Sequence, residues 1–386
     1  MSSPDRSRVV SGDVAPGWGP VADELARNFS ERGDVGAACA IYSDGVKVVD
    51  VWGGVADPAT QRPWAADTLV LWFSCTKGMT AVCANLLIER GVLDADAPVA
   101  SYWPEFAAEG KEAIPLRWLL AHRAGLPVIE ADLTLEQSLA WTPVVDALAA
   151  QRPVWEPGTR HGYHLRSFGW LVGEVIRRAT GDTIGAFLRT AVADPLGLEM
   201  WIGLPAEHES RLATLVPPPP EFADLLRSLP HDLLLGRATT GPSGHFAYDD
   251  MWNRRALHAC ELPSSNGIGD ARSLARMYAA LIGDGVDGIR LLSDATVAAA
   301  TEVQASGRDE VILVDTAFGL GFMLGASFNA QLHRTAFGHA GAGGSLAFAD
   351  PDVGISFAYV MNDLRFEATG DPRSESLVAA AYRCTP

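Results

Sequence analysis

Strand-like segments crowd both ends of this 386-residue chain and leave its middle to helices, so the two ends must meet in one sheet if neither is to present unpaired edges. Near the start, residues 37–42 and 46–52 are apolar, β-branched runs joined by Ser43-Asp44-Gly45, a hairpin signal. Near the end, residues 318–324, 345–349 and 354–361 read as further strands with Gly or Pro-Asp between them. Apolar residues recur at helical spacing over 76–89, with Gly91 placed to cap the helix, and again over 144–150, 168–179, 184–192 and 271–282. The expected fold class is α+β or α/β, with an antiparallel sheet from both chain ends flanked by helices. Residues 1–90 and 265–386 form the sheet domain and 91–264 a mostly helical inserted domain, with the active site between them. Four successive prolines, Pro217 to Pro220, interrupt the insert, so 205–263 is read as a proline-rich, lid-like excursion.

A net charge of −17 argues against nucleic acid or an anionic membrane as partner, because both would repel the surface. A small-molecule substrate fits better. No apolar run approaches the roughly 20 residues needed to span a bilayer, and the stretch Met1 to Val10 has no apolar core of the kind a secretory signal carries. The five cysteines, Cys39, Cys75, Cys83, Cys260 and Cys384, are odd in number and lack CxxC spacing. They read as reduced thiols in a cytoplasmic protein, Cys75 as a small packed residue rather than a nucleophile.

The sharpest chemical feature is Ser74-Cys75-Thr76-Lys77, placed where the extended run 68–73 gives way to a helix. Residues three apart share a helix face, so Lys77 comes beside Ser74, and the helix start supplies free N–H groups. A serine hydroxyl becomes nucleophilic when an adjacent base takes its proton, and a lysine serves once burial or a neighbouring cation lowers its pKa. Lysine occurs only at 47, 77 and 111, so the pairing is not a product of abundance. Capping by Ser74 with an outward-facing Lys77 is the plain alternative.

Two later segments shift the balance. Glu156-Pro157-Gly158 leads to Tyr163, whose phenol, with its pKa depressed beside a lysine, can act as a second base. Phe337 to Ser345 sets His339, Ala340 and Gly341 within a glycine-rich turn beside a late strand; an edge strand there can offer an N–H to an oxyanion. His161 and His164 lack a third ligand at zinc-like spacing, so no metal is expected. Gly241-Pro242-Ser243-Gly244 does not complete a nucleophile elbow, and His122 reads as a packed loop residue. Phe246, Tyr248 and Trp252 either line a substrate pocket or pack at the base of the excursion.

In this order and at these separations, Ser74-x-x-Lys77, Tyr163 and His339-Ala340-Gly341 resemble the three motifs of the serine β-lactamase and penicillin-binding-protein superfamily, in particular the class C β-lactamase-like family VIII carboxylesterases. The resemblance implies a β-lactamase-like (transpeptidase-like) fold and a carboxylesterase that needs no cofactor. It implies Ser74 as nucleophile, Lys77 and Tyr163 as the acid/base pair, and an oxyanion hole of the Ser74 and Ala342 N–H groups. His339, Ala340, Gly341, Leu165 and Trp252 become candidate substrate contacts. The motifs do not order Lys77 and Tyr163 in the proton path. Leu165 stands where lactamases carry an amide, and His339 where they carry a lysine. Both changes weaken recognition of an anionic lactam and favour a neutral ester of short to medium acyl length. A β-lactamase, a D-amino-acid peptidase, an acyltransferase and a non-catalytic binding protein are the alternatives.

Overall fold

A computed structural model describes residues 10–230, 232–366 and 370–385, so the Met1 to Val10 reading lies, apart from Val10, outside the described residues. The early hairpin forms as expected: β2 (Gly36–Ser43) and β3 (Val46–Asp57) follow β1 (Ser11–Val14), and Asp44 and Gly45 turn the chain with φ of +46° and +75°. β4 (Arg62–Pro63) adds to β3, and β5 (Val70–Leu71), β6 (Met200–Ile202) and β7 (Gly267–Gly269) form a separate three-stranded sheet. The rest of the main sheet comes from the far end: β8 (Ala305–Arg308), β9 (Asp315–Phe318), β10 (Met323–Leu324), β11 (Phe337–Ala340), β12 (Leu346–Asp350) and β13 (Ile355–Met361). The sheet runs β1-β3-β2-β13-β12-β11-β10-β9-β8, antiparallel throughout. The two ends meet at β2 and β13, in register from Ala37 against Met361 to Ser43 against Ile355.

Every residue of β13 is buried, which requires cover on both faces. The C-terminal helix Pro372–Cys384 packs with Gly19–Glu31 on the face that carries Tyr359, whose hydroxyl donates to Asp34. Ser356, on the opposite face, donates to the Ala275 carbonyl of helix Ala271–Ala279. The run 318–324 is not one strand but the β9–β10 hairpin. Gly321, at φ +91°, lets the chain reverse, and Met323 pairs back on Phe318. Short strands β8 to β10 extend the sheet beyond β11, but β10 pairs only with Phe337 and Gly338, so His339 and Ala340 keep a free strand edge on that side.

Helices fill the middle of the chain. Thr76–Glu89, here α1, is buried from Thr76 to Leu87 and packs against α2 (Ser167–Thr180). A helix buried all round has no solvent face to spare, so any charge on it must find partners inside. Pro217 to Pro219 lie outside any helix or strand and Pro220 opens the helix Pro220–Ser228, where a missing N–H costs nothing.

Candidate active site

The chain enters α1 through a strained turn. Phe73 holds φ +46°, a conformation a bulky side chain adopts only under constraint. The constraint is visible: the Trp72 N–H donates to Gly267 C=O at 3.1 Å, and the Phe73 ring meets Trp252 and Tyr248 edge-on at 4.9 and 5.3 Å. Gly267 must lack a side chain, since a Cβ there would lie 2.3 Å from the Trp72 indole nitrogen. The turn leaves Ser74 partly accessible at the helix start.

Lys77 points at Ser74. Its Nζ lies 3.1 Å from Ser74 Oγ, 2.6 Å from Leu165 C=O and 3.1 Å from Ser264 C=O, with none of the residue exposed. Burial, followed by the charge of Arg166, holds its pKa well below the ordinary lysine range. The three neighbours satisfy either charge state. An ammonium donates to all three; a neutral amine donates to the two carbonyls and turns its lone pair to the Ser74 hydroxyl.

Tyr163 stands across from this pair, with Lys77 Nζ 4.7 Å from its ring centre. Its N–H donates to both carboxylate oxygens of buried Asp309, at 3.0 and 2.9 Å, and its ring stacks on Phe318 at 6.0 Å. Burial pushes the phenol above its ordinary value, only partly offset by the nearby Ser74 hydroxyl. The depressed pKa expected from the sequence is thus reversed, because burial outweighs the nearby amine.

The third-motif strand runs alongside the turn. Cys75 Sγ donates to His339 C=O at 3.2 Å, and a Cβ on Gly341 would lie 2.2 Å from the Trp72 carbonyl oxygen. That close approach brings Ala342 to the nucleophile's end of the site. Among the described residues, neither the Ser74 nor the Ala342 N–H has a protein acceptor. Ala340, Gly341, Ala342 and Leu165 keep partial exposure. A cavity of about 260 Å³ opens along this strand end, between Phe328, Ala340 to Ser345 and Asp371.

Two candidate contacts are placed differently from expectation. His339 is 1% exposed; its Nδ1 donates to Ala340 C=O at 2.6 Å and its Nε2 lies 3.4 Å from the Tyr163 hydroxyl. Burial, with the charge of Lys77, drives its pKa down to about 3, so it is a neutral neighbour of Tyr163 and not a cation for a substrate carboxylate. Trp252 has no exposed surface; its indole donates to Ala247 C=O at 2.7 Å and it packs behind Phe73. His161 and His164 go to separate partners, Thr316 Oγ1 and the Gly162 carbonyl with the Leu126 N–H. Arg166 and Asp309, both tied to the site, went unnoticed in the sequence; a charged residue directly after Leu165, ahead of an apolar helix, was the one available signal for Arg166.

The fold has close counterparts among known proteins. The Beta-lactamase family profile matches residues 23–381. The chain belongs to that family, and it is a hydrolase of the esterase and β-lactamase group. It is 36% identical over 368 residues to the esterase/beta-lactamase LipL of Mycobacterium tuberculosis (strain ATCC 25618 / H37Rv), a match covering 94% of this chain and 85% of the relative. A crystal structure of a family VIII carboxylesterase superposes with a TM-score of 0.89 at 36% identity, covering 98% of this chain and 100% of that one. EstA from Arthrobacter nitroguajacolicus Rue61a superposes with a TM-score of 0.87 at 33% identity, covering 98% of each chain. Among the described residues no helix is long and apolar enough to cross a membrane, and no cluster of three potential metal ligands occurs.

Proposed function

We propose that the protein is a serine carboxylesterase that cleaves esters of short to medium acyl length through a Ser74 acyl-enzyme. The observation that carries this reading is the buried Lys77 amine 3.1 Å from Ser74 Oγ, held by two carbonyls that tolerate its neutral form. Lys77 takes the Ser74 proton as Oγ attacks the ester carbonyl, and the oxyanion receives the Ser74 and Ala342 N–H groups. Tyr163, a neutral phenol, is the member of the pair with a proton to give. It protonates the departing alkoxide and is restored by Lys77, and the reverse path activates water for deacylation.

The surroundings favour an uncharged substrate. Leu165, Ile312 and Phe328 pack with Tyr163, Phe318 and Met323 into an apolar wall suited to an acyl chain. The neutral, inward-turned His339 offers no charge to a lactam carboxylate. A second reading, β-lactam hydrolysis by the same nucleophile, is favoured by the dual name of the M. tuberculosis relative. A panel of p-nitrophenyl esters of increasing acyl length beside the chromogenic lactam nitrocefin separates the two. Ester turnover exceeding that of nitrocefin supports the esterase; the opposite ranking overturns it. No turnover of either, in folded protein, returns the reading to a non-catalytic binder.

A further inference from the structure

Among the described residues, Arg166 is a buried cation without a counter-charge. Its Nε donates to Thr239 C=O at 2.8 Å, Nη1 to Ser265 Oγ at 3.3 Å and Nη2 to Phe246 C=O at 3.3 Å. The guanidinium also lies against three rings, Phe246 at 5.0 Å, Trp252 at 5.1 Å and Tyr248 at 5.8 Å. Among the described residues no carboxylate pairs with it. Carbonyl dipoles and ring faces offset part of the cost of burying a guanidinium, but they do not cancel its field.

The same two chain segments that hold this cation hold Lys77. Leu165 and Ser264 give their carbonyls to the amine, while their neighbours Arg166 and Ser265 form the guanidinium site. Ser264 Oγ ties the segments together by donating to the Arg166 carbonyl at 2.8 Å. We propose that Arg166 is a positioning residue that keeps the Lys77 amine uncharged by fixing a second, uncompensated cation beside it. Two like charges repel strongly in a water-excluded site, and of the two only the amine can shed its proton. The Asp309 carboxylate nearby bonds neither cation: it accepts from the Tyr163, Val311 and Ile312 N–H groups and the Thr316 hydroxyl. Burial raises the Cys75 thiol and the Tyr163 and Tyr248 phenols, and lowers the imidazoles of His122, His164 and His339.

This inference rests on Lys77 being the base, and the acid limb of the pH profile of kcat/KM then reports its deprotonation. Arg166→Met, which keeps an unbranched stem among the rings, should move the midpoint of that limb upward by about one pH unit or more, a tenfold loss on the acid side. A merely structural arginine would lower turnover or stability and leave the midpoint in place. A folded Arg166→Met with the wild-type midpoint overturns the proposal. Should the Met variant fail to fold, Arg166→Gln, which keeps donors for the Thr239 carbonyl but carries no charge, takes its place: an upward shift supports the proposal and a wild-type midpoint overturns it. Lys77→Met tests the parent reading separately: turnover retained with the wild-type acid limb would remove Lys77 as base, independently of Arg166.

Discussion

Tyr163→Phe removes one oxygen and leaves the ring in place, stacked on Phe318 and facing Lys77 Nζ. The hydroxyl faces the Ser74 hydroxyl and, at a long 3.4 Å, His339 Nε2, so its loss should cost at most about 1 kcal/mol of folding stability. The catalytic cost is far larger, because the phenol is the group that holds a proton for the leaving alkoxide. Loss of a positioned acid lowers the rate by about 10² to 10⁴, or about 3 to 5 kcal/mol in the barrier. The loss should depend on the alcohol. A p-nitrophenolate leaves without help, whereas an alkoxide must be protonated as it departs. Single-turnover acylation by a p-nitrophenyl ester and by the matching ethyl ester, in wild type and Tyr163→Phe, reads this directly. The account expects a greater fall for the ethyl ester. An equal fall for both, or a near-normal rate with the ethyl ester, would refute Tyr163 as the acid.

Gly341→Ala should lower kcat by about 10² to 10³, the value of one oxyanion donor, since its Cβ would meet the Trp72 carbonyl at 2.2 Å and push the strand end off Ser74; steady-state kinetics in folded protein checks this. Stability should fall with acid. His164 and His339, with pKa values held down to about 4 and about 3, are neutral in the fold and protonate near pH ~6.5 when unfolded. Their contribution is present above that pH and is lost on acidification towards the folded values, at about 1.4 kcal/mol per pH unit for each histidine. Urea unfolding between pH 7 and 5 should show that slope, and a flat profile would contradict it. Arg373 bonds Asp34 at 3.0 Å and Asp371 at 2.6 Å while 1% exposed, so Arg373→Met, which strands those carboxylates, should cost about 3 to 5 kcal/mol by the same unfolding assay.

Features set by local spacing were legible in the sequence. The helix after Ser74 runs over the residues its apolar repeat marks, and the Asp44-Gly45 hairpin forms because both residues accept left-handed backbone. The meeting of the two ends followed from the need to pair strands, and β2 against β13 satisfies it. What sequence could not convey was the direction of single side chains and the shortest strands. β10 is two residues long, too short for an alternation to show, so its cover of Phe337 and Gly338 carries no sequence signal, while the edge at His339 and Ala340 does. His339 was read as a substrate contact because of where it stands in the motif, yet its ring turns inward to Tyr163. The raised Tyr163 pKa has no sequence signal, because burial, a property of the whole fold, outweighs one nearby amine. Arg166 binds carbonyls 73 and 80 residues away, a partnership without periodicity or motif.

The central claim, that Ser74 is the nucleophile, is tested most directly by intact-protein mass spectrometry after exposure to a fluorophosphonate, with peptide mapping of the adduct. The account predicts one phosphonyl group on the Ser74 peptide of the wild type and none on Ser74→Ala, a variant that should stay within about 0.5 kcal/mol of wild-type stability. An adduct on another residue, or an undiminished one in Ser74→Ala, would contradict it.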